Sequence, residues 1–392
     1  MRAVVYRGVN DLRLETVPVP RIGANELLVK VAVCGVCPTD IKKIQHGTVP
    51  PPRIFGHETA GTIVKIGRQK AEGRRQKSHS ELRTPNSELR LGDRVALHHH
   101  VPCLDCHFCR HHAFAQCETY KRTGITAGFE PAGGGYAEYV RVMPFVLPGV
   151  VKIPAKNSFE EGAMLEPVNT VLKAVRRLNL LRGDVVLVAG QGPIGLVFTR
   201  LLQLAGARVL ATDLLASRLK LAKKFGARWT RLVERRESSV ESQRTPSLDP
   251  RPSTLDPRPI CRPSPLDAAI VAVPSDAAVY EALRLVRNGG QVLLFAHTRR
   301  GRAELPLRLD ARPRVPTSPM DFSSICLDEK DLIGSYSSDF TLQAEVARLV
   351  FSRQLDVRPL ISHRFPLAQT AAAIQLAAHP QPDSLKILVT QL

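Results

Sequence analysis

The chain has 392 residues, a formal net charge of +19, 44% hydrophobic and 23% charged residues, and eight cysteines. That length can bury two cores, and the composition is ordinary for a soluble globular protein. The positive excess raises a nucleic-acid reading, but it sits mostly in 68–90, 231–262 and 299–314, and aromatics for stacking bases are only 5% of the chain, so no specific nucleic-acid partner is expected.

The N-terminal stretch Met1-Arg2-Ala3-Val4-Val5-Tyr6 reads as a strand, without an apolar signal core or a small-residue cleavage site. No apolar run is long enough to span a membrane. A cytoplasmic protein without a membrane partner is therefore expected. Residues 26–33 form a strong strand pattern, followed by Cys34-Gly35-Val36-Cys37-Pro38-Thr39-Asp40 and then Gly56-His57-Glu58. The Cys34/Cys37 spacing alone fits a redox dithiol or half a zinc site. Cys37, His57 and a carboxylate offer a different set, with room for a substrate oxygen, as zinc sites that do chemistry require. Residues 68–90 are polar and carry Ser-Glu-Leu-Arg twice, seven residues apart, which reads as a flexible surface insertion.

Cys103, Cys106, Cys109 and Cys117 place four thiols on one short lobe. Closed tetrahedral zinc suits that spacing; strained disulfides and an iron–sulfur cluster are the other readings. His98, His99, His100, His107, His111 and His112 lie nearby and read as surface or pocket-wall residues, since four cysteines already fill a coordination shell. Residues 133–140 are a glycine turn into a strand. A helical stretch from Phe159 to Leu178 contains Glu166, an acid within an otherwise apolar segment.

Val185-Val186-Leu187-Val188-Ala189 suits a strand buried on both faces. Gly190-Gln191-Gly192-Pro193-Ile194-Gly195 follows at once: a tight turn, a close phosphate approach and close helix packing each call for one glycine. Pro193 falls where a helix begins. A second strand ends on Asp213, near the offset of about 20 residues expected for a carboxylate on an adenosine ribose. A carboxylate there repels a 2′-phosphate, so the unit should bind NAD rather than NADP. Arg218 on the next helix either meets the cofactor or is a solvated charge. Residues 231–265 repeat Leu-Asp-Pro-Arg-Pro, again seven residues apart, and are too proline-rich for regular structure. The shared period suggests that both insertions are translated repeat DNA. Helix and strand patterns then alternate, with a helix over 340–351 and a closing strand over 385–389.

Taken together, Cys37-x-Thr39-Asp40, Gly56-His57-Glu58, the four cysteines, Gly135-Tyr136-Ala137-Glu138-Tyr139, Glu166-Pro167 and the glycine loop resemble the zinc-containing medium-chain alcohol dehydrogenases. The resemblance covers nearly the whole chain apart from the two insertions, and is nearest to the sorbitol and threonine dehydrogenase branch. It implies an α/β protein: a GroES-like β-rich catalytic domain over 1–152, a Rossmann domain with a doubly wound parallel sheet over 153–336, and a C-terminal return to the catalytic domain over 337–392.

The resemblance further implies two zinc ions per chain and NAD. A catalytic zinc would be held by Cys37 and His57, with Glu58 and Glu166 as direct or water-linked carboxylates, and a structural zinc by Cys103, Cys106, Cys109 and Cys117. Asp40 would orient His57, and Thr39 would pass the alcohol proton outward; Lys42 stands where many relatives extend that relay with histidine. The cofactor would lie against Gly190, Gly192, Pro193, Ile194, Gly195, Asp213 and Arg218. The expected reaction moves a hydride from a secondary alcohol (a polyol, cyclitol or amino alcohol) to NAD in a homo-oligomer, a dimer or tetramer. A threonine-dehydrogenase-like activity and a non-catalytic zinc- and nucleotide-binding protein are the alternatives.

Overall fold

The computed structural model describes residues 1–67, 81–84, 87–98, 101–123, 133–234, 265–296 and 322–391. They form two compact units, Met1–Arg177 with Ser335–Leu392, and Leu178–Gly334. In the first unit the central strand β1 (Leu27–Gly35) runs antiparallel to β2 (Glu58–Ile66), which pairs with β3 (Arg94–Leu97). Helix α1 (Pro38–His46) leaves β1 almost immediately, with Cys37 as its N-cap and Pro38 in its first turn, where a missing N–H costs nothing. Alternating apolar residues of these strands, Leu27, Val29, Val31, Ile63, Val95 and Leu97 among them, bury one core.

The expected insertion over 68–90 needs correction at its far end. The two Ser-Glu-Leu-Arg copies pair with each other as an antiparallel hairpin, Glu81 opposite Arg90 and Leu82 opposite Leu89, and Leu89 is fully buried in the same core. The single leucine of each copy falls opposite the other, so one apolar side chain per strand is enough to fix this register. Residues 68–80 lie outside the described residues.

Glu26 fixes the entry to β1. Its buried carboxylate accepts from the Gly23 amide at 2.5 Å and from Arg141 Nε and Nη2 at 2.8 and 2.5 Å. Burial pushes the carboxyl pKa up, but Arg141 and the amide outweigh it and hold the group below its usual value. A depressed carboxyl stabilises the fold above the unfolded pKa of about 4.3 and loses that contribution as pH falls through the folded value. Glu26→Gln should therefore cost about 2–4 kcal/mol at neutral pH, and the gap to the parent should close below about pH 4. Melting curves against pH check this; a gap independent of pH would refute it.

The helical stretch after Asn157 is two helices rather than one: Phe159–Ala163, started by a capping box between Ser158 and Glu161, and α2 (Leu165–Val175). The unit boundary accordingly falls after Arg177, not at the expected 152/153. The reason is side-chain pairing: on α2, Asn169 Nδ2 donates to Gln343 Oε1 at 3.0 Å and Arg176 Nη2 to Glu345 Oε1 at 2.6 Å, which ties the helix to the returning chain.

The second unit opens with β4 (Val185–Ala189), then α3 (Pro193–Leu204), β5 (Arg208–Asp213) and β6 (Trp229–Leu232). After residues 235–264, which lie outside the described residues together with most of the expected 231–265 insertion, come β7 (Leu266–Val271), β8 (Val286–Leu294) and β9 (Asp331–Gly334). Arg231 and Leu232 belong to β6, so regular structure runs slightly further than expected. All six strands are parallel in the order β6-β5-β4-β7-β8-β9. That is the doubly wound arrangement in which ligands meet the carboxyl ends of the central strands. β4 is buried at every residue, as its unbroken apolar run requires.

The chain then returns to the first unit. After the helix Gln343–Phe351, β10 (Ile361–Pro366) and β11 (Lys386–Thr390) run parallel, and β11 pairs antiparallel with the end of β1, Leu388 opposite Gly35. The C-terminal strand thereby places Lys386 beside Glu58 at the start of β2.

Candidate active site and metal centres

Cys37, His57 and Glu58 are brought together by the β1–α1 junction and the start of β2; one ligand atom from each lies within 4.8 Å of the others. A thiol, an imidazole and a carboxylate make a donor set suited to zinc, with at least one position left open. His57 is buried, and its Nδ1 lies 3.2 Å from Oδ2 of the fully buried Asp40, which leaves Nε2 for a metal. Burial works against the imidazolium, but Asp40 and then Cys37 outweigh it and raise the His57 pKa well above its usual value. Metal binding must therefore displace a proton here.

Glu166, in the first turn of α2, is buried but is not one of the three converging ligands. Its carboxyl is pushed up to about 7, by burial first; the His57 charge opposes the shift and the Glu58 charge adds to it. It thus stands within electrostatic reach of the cluster. Thr39 is half-buried on α1, two residues beyond Cys37. Lys42, one turn on, is exposed, and partial burial lowers its pKa against the opposing influence of Cys37.

Cys34 and Cys37, whose spacing alone fits a redox dithiol or half a zinc site, have different surroundings. Cys34 is fully buried, accepts from Thr59 Oγ1 at 3.5 Å and has its thiol pushed up to about 12, chiefly by burial. It is a core thiol.

Lys386 is the site residue that the motifs miss. Its buried ammonium pairs with Glu58 Oε2 and donates to the Val36 carbonyl at 3.0 Å. Burial lowers an ammonium pKa, yet Glu58 and Cys37 outweigh it and the Lys386 pKa is raised. The one available signal was a lysine inside the apolar closing strand.

The four-cysteine lobe closes on itself. Cys106 Sγ and Cys109 Sγ are 3.5 Å apart, and Cys103 Sγ and Cys109 Sγ 3.9 Å. Sulfurs about 2.3 Å from a tetrahedral zinc lie about 3.8 Å from one another, so the lobe fits that ion. The amides of Asp105 and Cys106 point at Cys103 and lower its thiol pKa to about 6, which favours the thiolate a metal needs. Leu104 adopts a left-handed φ of 64° to make this turn. All seven described cysteines are free. Of the neighbouring histidines, His98 is buried, His107, His111 and His112 are exposed, and His99 and His100 lie outside the described residues. The open and closed centres should differ in lability: freshly purified protein should hold two zinc ions, one removed quickly by a chelator and one resistant. Elemental analysis finding a single zinc would refute this.

In the second unit the glycine loop behaves as its spacing suggests. Gly190 has φ 92°, and a Cβ there would meet Val273 Cγ1 at 2.3 Å; a Cβ on Gly195 would meet the Gly190 carbonyl at 1.8 Å; one on Gly192 would meet nothing within 4 Å. The open side at Gly192, at the N-terminus of α3 beside Pro193 and Ile194, leaves room for a phosphate to approach the backbone amides. Asp213 has a second task. Its Oδ2 accepts from the Gln191 amide at 2.6 Å and its Oδ1 from the Leu215 amide at 2.9 Å, so it also closes the loop. Arg218 Nη1 stands 4.0 Å from the same carboxylate.

Residues 23–155 match the alcohol dehydrogenase GroES-like domain and residues 193–351 the zinc-binding dehydrogenase domain. The chain is 30% identical to sorbitol dehydrogenase of Bombyx mori, over 99% of this chain and 97% of that one. It is 28% identical to sorbitol dehydrogenase of Gallus gallus, over 95% and 92%. A zinc-binding dehydrogenase structure from Sinorhizobium meliloti 1021 bound to NADP superposes with a TM-score of 0.74 at 25% identity, over 99% of this chain and 98% of that one. With full-length coverage and both domains matched, the chain belongs to the zinc-containing medium-chain alcohol dehydrogenase family, on its sorbitol-dehydrogenase-like side.

Proposed function

We propose that this protein is a zinc-dependent oxidoreductase that moves a hydride from a secondary alcohol of a polyol or cyclitol to NAD. The convergence of Cys37, His57 and Glu58, with Glu166 buried beside them, is the observation that carries the reading. Cys37 and His57 would hold a zinc ion, which would supply a Lewis acid to lower the pKa of an alcohol. NAD supplies the hydride acceptor. Asp40 engages His57 Nδ1, so the ring would offer Nε2 to a metal. The Thr39 hydroxyl both accepts and donates, so it can take the alcohol proton and pass it on; Lys42, one turn further along α1, is the next proton-bearing group toward solvent. Lys386 pairs with Glu58 and restrains that carboxylate, while Glu166 acts as the outer carboxylate.

Asp213 supports NAD over NADP: its carboxylate can accept from ribose hydroxyls and repels a 2′-phosphate, although the Sinorhizobium relative binds NADP. Among the described residues no strand pairs with the outer edge of β9, where Leu332 is exposed, which favours a homo-oligomer. Free cysteines throughout the described residues favour a reducing compartment, consistent with a cytoplasmic enzyme. Among the described residues no helix is long and apolar enough to cross a membrane.

Nicotinamide absorbance across a panel of polyols, cyclitols and amino alcohols tests the reading, with turnover expected on polyols or cyclitols and NAD. Turnover on threonine alone would favour the threonine-dehydrogenase-like alternative, and none on any alcohol a non-catalytic protein. In the same assay Asp213→Ser should weaken NAD use about tenfold or more, a lost hydrogen bond to a charged group being about 1.5–3 kcal/mol, and narrow the gap to NADP. An unchanged NAD to NADP ratio would remove Asp213 from cofactor selection.

A further inference from the structure

Glu166, Asn169 and Lys173 stand at i, i+3 and i+7 on α2 and so share one face of that helix. The segment 336–343 is fastened along the face. Lys173 Nζ donates to the Tyr336 carbonyl at 2.9 Å, the Asp339 amide donates to Asn169 Oδ1 at 2.8 Å, and Asn169 Nδ2 donates to Gln343 Oε1 at 3.0 Å. Asn169 and Gln343 are both buried. The other side of the segment meets the four-cysteine lobe. The Phe114 ring packs edge-on against Phe340 with centroids 5.5 Å apart. Phe114 also packs on a buried cluster of Cys109, Cys117 and Tyr120, and the Tyr120 phenol is close enough to Tyr336 and Glu166 for both to perturb it.

We propose that the four-cysteine lobe positions Glu166 through this segment, making Phe340 and Asn169 positioning residues for the outer carboxylate of the open metal site. The proposal rests on the reading of Glu166 given above. Four thiolates drawn around one ion set where Phe114 and Tyr120 stand. Phe340 carries that placement to the segment, and Asn169, through its two hydrogen bonds, carries it to the helix one turn below Glu166. The family motifs name the lobe and the glutamate but not the contacts that join them.

Zinc-loaded protein is mixed with a colorimetric chelator, and release from the open site is followed in the parent, Phe340→Ala, Asn169→Ser, Glu166→Gln and each first variant combined with Glu166→Gln. Phe340→Ala and Asn169→Ser should each speed release from the open site by about 5–20-fold, the lower part of the range of typical couplings between sites, while the four-cysteine zinc stays bound. In the Glu166→Gln background they should add nothing, because they act through that carboxylate. Phe340→Tyr, which keeps the ring, should restore the parent rate. Equal speeding in both backgrounds, or no speeding while Glu166→Gln alone accelerates release, would overturn the proposal. If Glu166→Gln leaves release unchanged, the reading of Glu166 itself fails. Asn169→Ser decides the matter if Phe340→Ala does not fold.

Discussion

Gly35→Ala is expected to abolish most of the activity and destabilise the first unit, although it adds one methyl group to a strand. Gly35 ends β1 opposite Glu58, and its φ is ordinary, so the restriction is one of space. A Cβ there would lie 1.8 Å from Glu58 Oε2 and 2.9 Å from Lys386 Cε. The missing side chain is what lets carboxylate and ammonium meet inside the protein. Separating a buried ion pair typically costs about 3–5 kcal/mol, because each charge is left without a partner or water. Glu58 is adjacent to His57, so the same displacement disturbs the proposed metal site, and a misplacement near 1 Å can cost about a hundredfold in rate. Gly8→Ala is the control: a Cβ on Gly8 meets nothing within 4 Å, and the change should lie within about 0.5 kcal/mol. Denaturant melts and turnover of both variants check the contrast. If Gly35→Ala matched Gly8→Ala in both, the Glu58–Lys386 pair would have no part in holding the site.

What could be read from the sequence, and what could not, follows the range of the interactions. The glycine loop was legible because its requirements are local. Gly190 needs a left-handed backbone and Gly195 a bare Cα against the Gly190 carbonyl, and both are set within six residues. The cysteine lobe was legible for the same reason, since its four thiols lie within fifteen residues of chain.

Lys386 was not, because its partners lie at Val36 and Glu58, at the other end of the chain, and only the antiparallel register of β11 with β1 brings them together. A lysine within Leu385-Lys386-Ile387-Leu388-Val389 carries the same kind of signal that singled out Glu166, a charge inside an apolar run. The motifs gave Glu166 a meaning and gave Lys386 none. The paired strands 81–84 and 87–90 were misread because their polar composition hid the single leucine that brings Leu89 into the core. The second task of Asp213, closing the loop through the Gln191 amide, depends on the turn's three-dimensional path. It leaves no mark in the residue order.

Glu166→Gln should remove most of the activity while making the metal-free protein more stable at neutral and alkaline pH. Burial first, with the neighbouring Glu58 charge, pushes the Glu166 carboxyl up to about 7 against an ordinary value of 4.5. The sign follows from linkage. Between about pH 4.5 and 7 the unfolded chain releases a proton that the folded chain keeps, so the carboxyl weakens the fold increasingly across that window and by a constant amount above it. The glutamine is nearly the same size and carries no charge, so it should recover about 1–3 kcal/mol above pH 7 and nothing below pH 4.5. A solvated helix-end acid would give the opposite result, a loss of about 0.3–1 kcal/mol at neutral pH. Activity should move the other way, because the amide cannot supply the negative charge that an outer carboxylate offers a zinc centre. The measurements are denaturant melts of metal-free parent and variant from pH 4 to 9, and turnover with zinc content of the loaded proteins. A variant that is less stable at pH 8 yet turns over normally with full zinc would return Glu166 to an ordinary helix charge. A variant more stable when empty and inactive when loaded would mark it as a residue kept at the expense of the fold for the sake of the site.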